Sequence, residues 1–177
     1  MHRAVGSPAS WFVSRADKLN HAQTILYEID MLRFTHAHIP PLWTDATEGD
    51  EWVYLESFLL HYRNLINFFG TAPTQPSDLS IFRLEDVWPD EKDRPSDSDL
   101  AQMRATGKTL KQKYDDGKLS DDTISRYLQH CTTFRIEFKE WYPDGMMEEI
   151  REILELFEKH LPQFKPATTS KPLWEGA

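Results

Sequence analysis

The chain has 177 residues, 40% hydrophobic and 12% aromatic, with a formal net charge of −9, which is enough to bury a substantial single-domain core and too apolar for a disordered chain. The acidic balance opposes a broad nucleic-acid surface, which needs clustered Lys and Arg, and it disfavours anionic membranes. The single cysteine, Cys131, excludes an internal disulfide and a Cys-rich zinc site, and charges interrupt every apolar run before it reaches membrane-spanning length.

Residues 1–13 read as a loose lead-in without a signal-peptide core, so the expected location is cytoplasmic. Ser14 followed by Asp17 suits a helix start, with a serine cap and an early carboxylate. Leu19, Ala22, Ile25, Leu26, Ile29 and Leu32 then recur at helical spacing. This gives a first helix over about 15–38, stopped by Pro40 and Pro41.

The stretch Glu51–Gly70 is the most apolar in the chain and predicts the central helix. Advancing ~100° per residue places Tyr54, Leu65, Phe58, Phe69, Tyr62, Leu55, Ile66, Leu59 and Trp52 in an arc of roughly 160°. Glu56, Ser57, His61, Arg63, Asn64 and Asn67 occupy the opposite arc, interrupted by Val53, Leu60 and Phe68. An apolar face this wide belongs to a helix packed on several sides. Glu56 and Arg63 are two turns apart, about 10 Å in rise, so each is expected to reach a neighbouring helix rather than the other. The set Glu56, His61, Arg63, Asn64 and Asn67 reads either as an internal polar network that fixes helix packing or as the lining of a site. Gly70 suits the left-handed position that ends a helix.

Residues 71–99 are punctuated by Pro73, Pro76, Pro89 and Pro95 and form a long irregular excursion. Its acidic run reads as solvated surface. Its island of Leu79, Ile81, Phe82, Leu84, Val87 and Trp88 is expected to lie over the bundle. Leu100, Met103, Leu110 and Tyr114 mark a helix over about 98–115, closed by Gly117. Ser120, helped by Asp121 and Asp122, is expected to cap a further helix whose buried stripe is Ile124, Tyr127, Leu128 and Cys131. The stretch 134–138 reads as irregular or as continued helix. After a turn at Pro143, Asp144 and Gly145, the residues Met146, Ile150, Ile153, Leu154, Phe157 and Leu161 define a last helix. The fold class is therefore all-α: a helical bundle of about four to five helices over residues 14–162, followed by an extended tail over 163–177.

Candidate chemistry is sparse. Arg126 and His130 are four apart and share a helix face. Arg can hold a phosphate and His can move a proton near neutral pH, so the pair suits metal-independent cleavage of RNA. His36 and His38, with His21 and His61 elsewhere, lack the Glu-x-x-His pattern of bundle metal sites. No metal or other cofactor is expected, and helix-end capping accounts for His36 and His38. Cys131 reads as inert packing, and nucleophile-elbow, phosphate-loop and dinucleotide patterns are missing from the sequence.

The order YEIDMLRFTH, ESFLLHYRNLINFF, LEDVW, ISRYLQHCTTFR and a final helix resembles a group of bacterial helical proteins related to the HEPN superfamily, over about residues 22–162. The resemblance implies a helical bundle, often dimeric. Many such domains are RNases with Arg, four to six residues, then His on a late helix; others are binding modules. Here SRYLQHC has three residues between Arg126 and His130, a departure from that motif, while Arg33 and His38 have the right spacing at the end of the first helix instead. The expected function is a binding or regulatory module that forms a homodimer through apolar helix faces. The alternative is a HEPN-like endoribonuclease using Arg126 and His130, with RNA as partner only in that case. Neither DNA nor a membrane is an expected partner.

Overall fold

Helical periodicity is carried into regular structure along most of the chain. The computed structural model describes residues 15–39, 50–75, 77–83, 88, 91–116, 123–129 and 141–161. Among them lie α1 (Arg15–His38), α2 (Asp50–Gly70), α3 (Asp97–Tyr114), α4 (Ile124–Gln129) and α5 (Pro143–Lys159), with short 3-10 turns at Ile81–Arg83 and Glu91–Asp93. The protein is an all-α bundle, and the irregular excursion falls between α2 and α3. No helix among the described residues is long and apolar enough to cross a membrane.

The central position of α2 follows from its breadth of apolar surface. It packs against α1, α3, α4 and the Ile81–Arg83 turn, and α5 closes the bundle against α1 and α3. Phe58, Leu59, Tyr62, Leu65, Ile66 and Phe69 from the apolar arc are buried. Phe68, from the other arc, is buried too, because the last turn of α2 is covered on both sides. Its ring and that of Phe69 each meet Phe157 of α5 edge-on at 5.5 Å. Trp88 joins this aromatic cluster at 5.3 Å from Phe157, and its indole N–H donates to the His160 carbonyl at 3.1 Å. Full burial of each such side chain contributes about 1.5–3 kcal/mol. This cluster ties the excursion to the end of α5. Val53 and Leu60 face outward, and Trp52 is exposed at the start of α2.

Three local expectations are corrected. Gly70 is the last residue of α2 but does not have a positive φ. A Cβ there would lie 2.5 Å from the Gly107 carbonyl oxygen, and one on Gly107 would lie 2.4 Å from the Phe69 Cβ. Gly70 and Gly107 therefore allow the backbones of α2 and α3 to touch, which any side chain would prevent. Pro143, Asp144 and Gly145 are the first turn of α5 and not a turn before it. Proline fits there because its missing N–H would have no helical partner, and Asp144 complements the positive end of the dipole. The fourth helix begins at Ile124, with the Thr123 hydroxyl accepting from the Arg126 backbone N–H at 3.1 Å, so Thr123 takes the role expected of Ser120. Ser120, Asp121, Asp122, Gly117, Cys131, the stretch 134–138, the lead-in and the tail lie outside the described residues.

Candidate functional site

The polar residues of α2 divide between two flanks, with Asn67 bonded to Asp115 on one and also lining the groove beside the other. On the flank facing α4 and the end of α3, Arg63 Nε donates to the Ser125 hydroxyl at 2.8 Å and lies 3.4 Å from Asp115 Oδ1. Asp115, directly after α3, accepts from the Ser125 backbone N–H at 3.1 Å and from the Ser125 hydroxyl on the same oxygen. Its other oxygen accepts from Asn67 Nδ2 at 3.2 Å and lies 3.7 Å from Lys111 Nζ. Asn67 also donates to the Arg63 carbonyl at 3.0 Å, and its Oδ1 accepts from Thr71 at 3.2 Å. The Asp115 side chain is only 4% exposed. Burial alone would push its carboxyl up, but the Ser125 and Asn67 hydrogen bonds and the charges of Arg63 and Lys111 hold it below the usual carboxylate value. Glu56 lies on the same line of α2, partly buried.

On the flank facing α1, one oxygen of Glu28 collects two partners. His61 Nδ1 lies 2.8 Å from Glu28 Oε2, and Asn64 Nδ2 donates to the same atom at 3.0 Å. Tyr27 packs edge-on against the His61 ring at 6.0 Å. Glu28 sits on the border of the buried stripe of α1, between Ile25 and Leu32, which aims it at α2.

A groove of about 350 Å³ opens beside this second flank, between α1, α2 and residues 71–80. Ile25, Phe68 and Leu79 provide apolar wall, and Glu28, Asn64 and Asp78 provide polar wall. The far side is shaped by Asp78, whose Oδ2 accepts from the backbone N–H groups of Thr74 at 2.9 Å and Gln75 at 2.7 Å and from the Thr74 hydroxyl at 3.1 Å. Those bonds, Gln75 first, hold the Asp78 carboxyl below its usual value, with a contribution from the charge of Arg83. Ser80 fastens the same segment to α2 by donating to the Thr71 carbonyl at 2.6 Å.

The other sequence candidates are dispersed. Arg126 is exposed on α4, and His130 lies outside the described residues. His36 pairs with Asp144 at 2.8 Å, while His38 bonds the Phe34 carbonyl at 2.7 Å and stacks on Tyr54 at 5.4 Å. Arg33 forms a two-pronged pair with Glu158, 2.7 Å on each prong, that joins α1 to α5. Among the described residues no three His, Cys, Asp or Glu side chains converge as metal ligands would. Sequence reasoning singled out His61, Arg63, Asn64 and Asn67 but missed Glu28, Asp115 and Ser125, which organise them, and Asp78. The available signals were a carboxylate on the edge of the α1 stripe and an Asp at the end of a helix.

No protein-family model, curated protein or solved structure matches the chain. The fold and site define a class, an all-α bundle with a polar groove beside its central helix.

Proposed function

We propose that this protein is a cytoplasmic binding module that holds a small ligand in the groove between α1, α2 and residues 71–80. The observation that carries this reading is the setting of Glu28. It is a carboxylate 16% exposed in the groove wall, oriented through one oxygen by two side chains of the central helix. A fixed polar group beside an apolar wall is the arrangement by which small-molecule pockets orient what they hold. The test follows backbone amide signals of the isotope-labelled chain while benzylamine, benzyl alcohol and benzoate are added separately. At least one of the three is expected to shift the signals of Asn64, Asn67 and Ala72. Ala72→Trp, placed at an exposed position on the groove wall, is expected to remove that response. If none of the three compounds moves those signals, the reading fails.

A second reading, a HEPN-like endoribonuclease acting as a homodimer, is favoured by one observation, the exposure of Arg126 on α4. An arginine at an exposed position suits a backbone phosphate. RNA cleavage by the wild type, Arg126→Ala and His130→Ala decides it, and equal cleavage by all three removes both residues from the mechanism.

A further inference from the structure

We infer that the groove selects an organic cation, a primary amine or guanidinium carried on a short apolar body. This rests on the groove being the binding site and adds the chemistry of what enters it. The argument is a count of donors and acceptors around the wall. Each side-chain donor group among the described lining residues already has a partner within the protein, with one N–H of Asn64 left over. Asn64 donates to Glu28, Asn67 to the Arg63 carbonyl and Asp115, Thr71 to Asn67, Thr24 to the Asn20 carbonyl, and Ser80 to the Thr71 carbonyl. Acceptors remain. Glu28 uses only Oε2 and Asp78 only Oδ2, so among the described residues the second oxygen of each carboxylate accepts no hydrogen bond. A ligand that answers these two carboxylate oxygens must bring donors.

Charge points the same way. Two carboxylates line the groove, and among the described residues no Lys, Arg or His lines it. Behind the wall, the charge of Arg83 reaches Asp78, and the His61 ring is bonded to Glu28. A carboxylate or phosphate ligand would face Glu28 and Asp78 without a cation among the described lining residues. A neutral alcohol could donate to one carboxylate oxygen but would bring no positive charge to offset the two carboxylates, which an ammonium or guanidinium does. The apolar body of the ligand would lie along Ile25, Phe68 and Leu79. At about 350 Å³ the space is at the small end of ligand pockets, which suits a compact amine.

Benzylamine, benzyl alcohol and benzoate share one body and differ in charge, so their dissociation constants, read at the Asn64, Asn67 and Ala72 amides at low salt and neutral pH, test the selection. Benzylamine is expected to bind at least about tenfold tighter than benzyl alcohol, with benzoate weakest. Glu28→Gln is expected to reduce the benzylamine advantage to within about threefold. Ala72→Trp removes binding of all three. Should Glu28→Gln not fold, added salt on the wild type replaces it: benzylamine affinity falls and benzyl alcohol affinity holds. Benzyl alcohol or benzoate binding as tightly as benzylamine at those amides overturns the cation selection and leaves the groove as a binding site. A benzylamine advantage undiminished in a folded Glu28→Gln, or insensitive to salt, also overturns the selection. Silence of all three compounds at those amides overturns both the selection and the groove.

Discussion

On one side of α2, Asp115 gathers Ser125, Asn67 and Arg63 so that both carboxylate oxygens are bonded and the side chain is 4% exposed. On the other side, Glu28 gathers His61 and Asn64 on a single oxygen and remains 16% exposed beside a groove. Residue types alone do not separate these flanks, since each joins a carboxylate, an amide and a basic side chain. Their degree of satisfaction does. A buried network with its hydrogen bonds complete stiffens packing and has nothing left to offer a ligand. A carboxylate oriented through one oxygen keeps the other for a partner from outside.

Replacing Asp115 breaks the comparison most sharply. Asp115→Ala strips acceptors from Ser125, Asn67 and Arg63 in a buried setting, and is expected to cost about 3 kcal/mol in chemical denaturation. Next in size is Gly107→Ala. Its Cβ would overlap Phe69 and Gly70, so α2 and α3 must part, and a loss of about 2 kcal/mol is expected by the same measurement. Because Asp115 follows α3, this substitution should disturb the closed flank more than the groove. Amide shifts around Ser125 should exceed those around Asn64.

Asp78, Asp99 and Asp115 are all held below the usual carboxylate value, and comparison of the wild type with a variant separates the share of Asp115. The Asp115 carboxyl is lower in the folded chain than its ordinary value, so the unfolded chain takes up the proton more readily. Its stabilisation is complete above a pH of about 4 and is lost as the pH falls through the folded value. The denaturation midpoint of the wild type should therefore drop below about pH 4, and Asp115→Asn should show a shallower drop. The smallest expected effect on stability belongs to Glu28→Gln, about 1 kcal/mol, since glutamine keeps an acceptor for His61 and Asn64.

Much of the bundle was legible because burial follows spacing. The stripe Ala22, Ile25, Leu26, Ile29 and Leu32 is buried on α1, and Met146, Ile150, Ile153, Leu154 and Phe157 are buried on α5. Errors fell where one local signal has two causes. A glycine after an apolar run ends helices, but Gly70 is there for contact with Gly107, which lies on another helix and is invisible to local reading. Pro-Asp-Gly marks turns, and it also starts helices when an amphipathic run follows.

The candidate site was half legible for a related reason. An amphipathic wheel marks polar residues on a helix that is otherwise buried, which is how His61, Arg63, Asn64 and Asn67 stood out. Their partners lie far along the chain, Glu28 33 residues before His61 and Ser125 62 residues after Arg63, on helices where a single polar residue looks like surface. Asp78 belonged to an acidic stretch read as solvated, and only the fold of residues 71–80 against α2 brings it to the groove.

The most direct measurement is the benzylamine affinity of Glu28→Gln taken beside its denaturation midpoint. The expected result is a variant within about 1 kcal/mol of wild-type stability that has lost most of its preference for benzylamine over benzyl alcohol. A variant that keeps the full benzylamine preference, or that loses as much stability as Asp115→Ala, would contradict the division of α2 into a structural flank and a ligand-facing one.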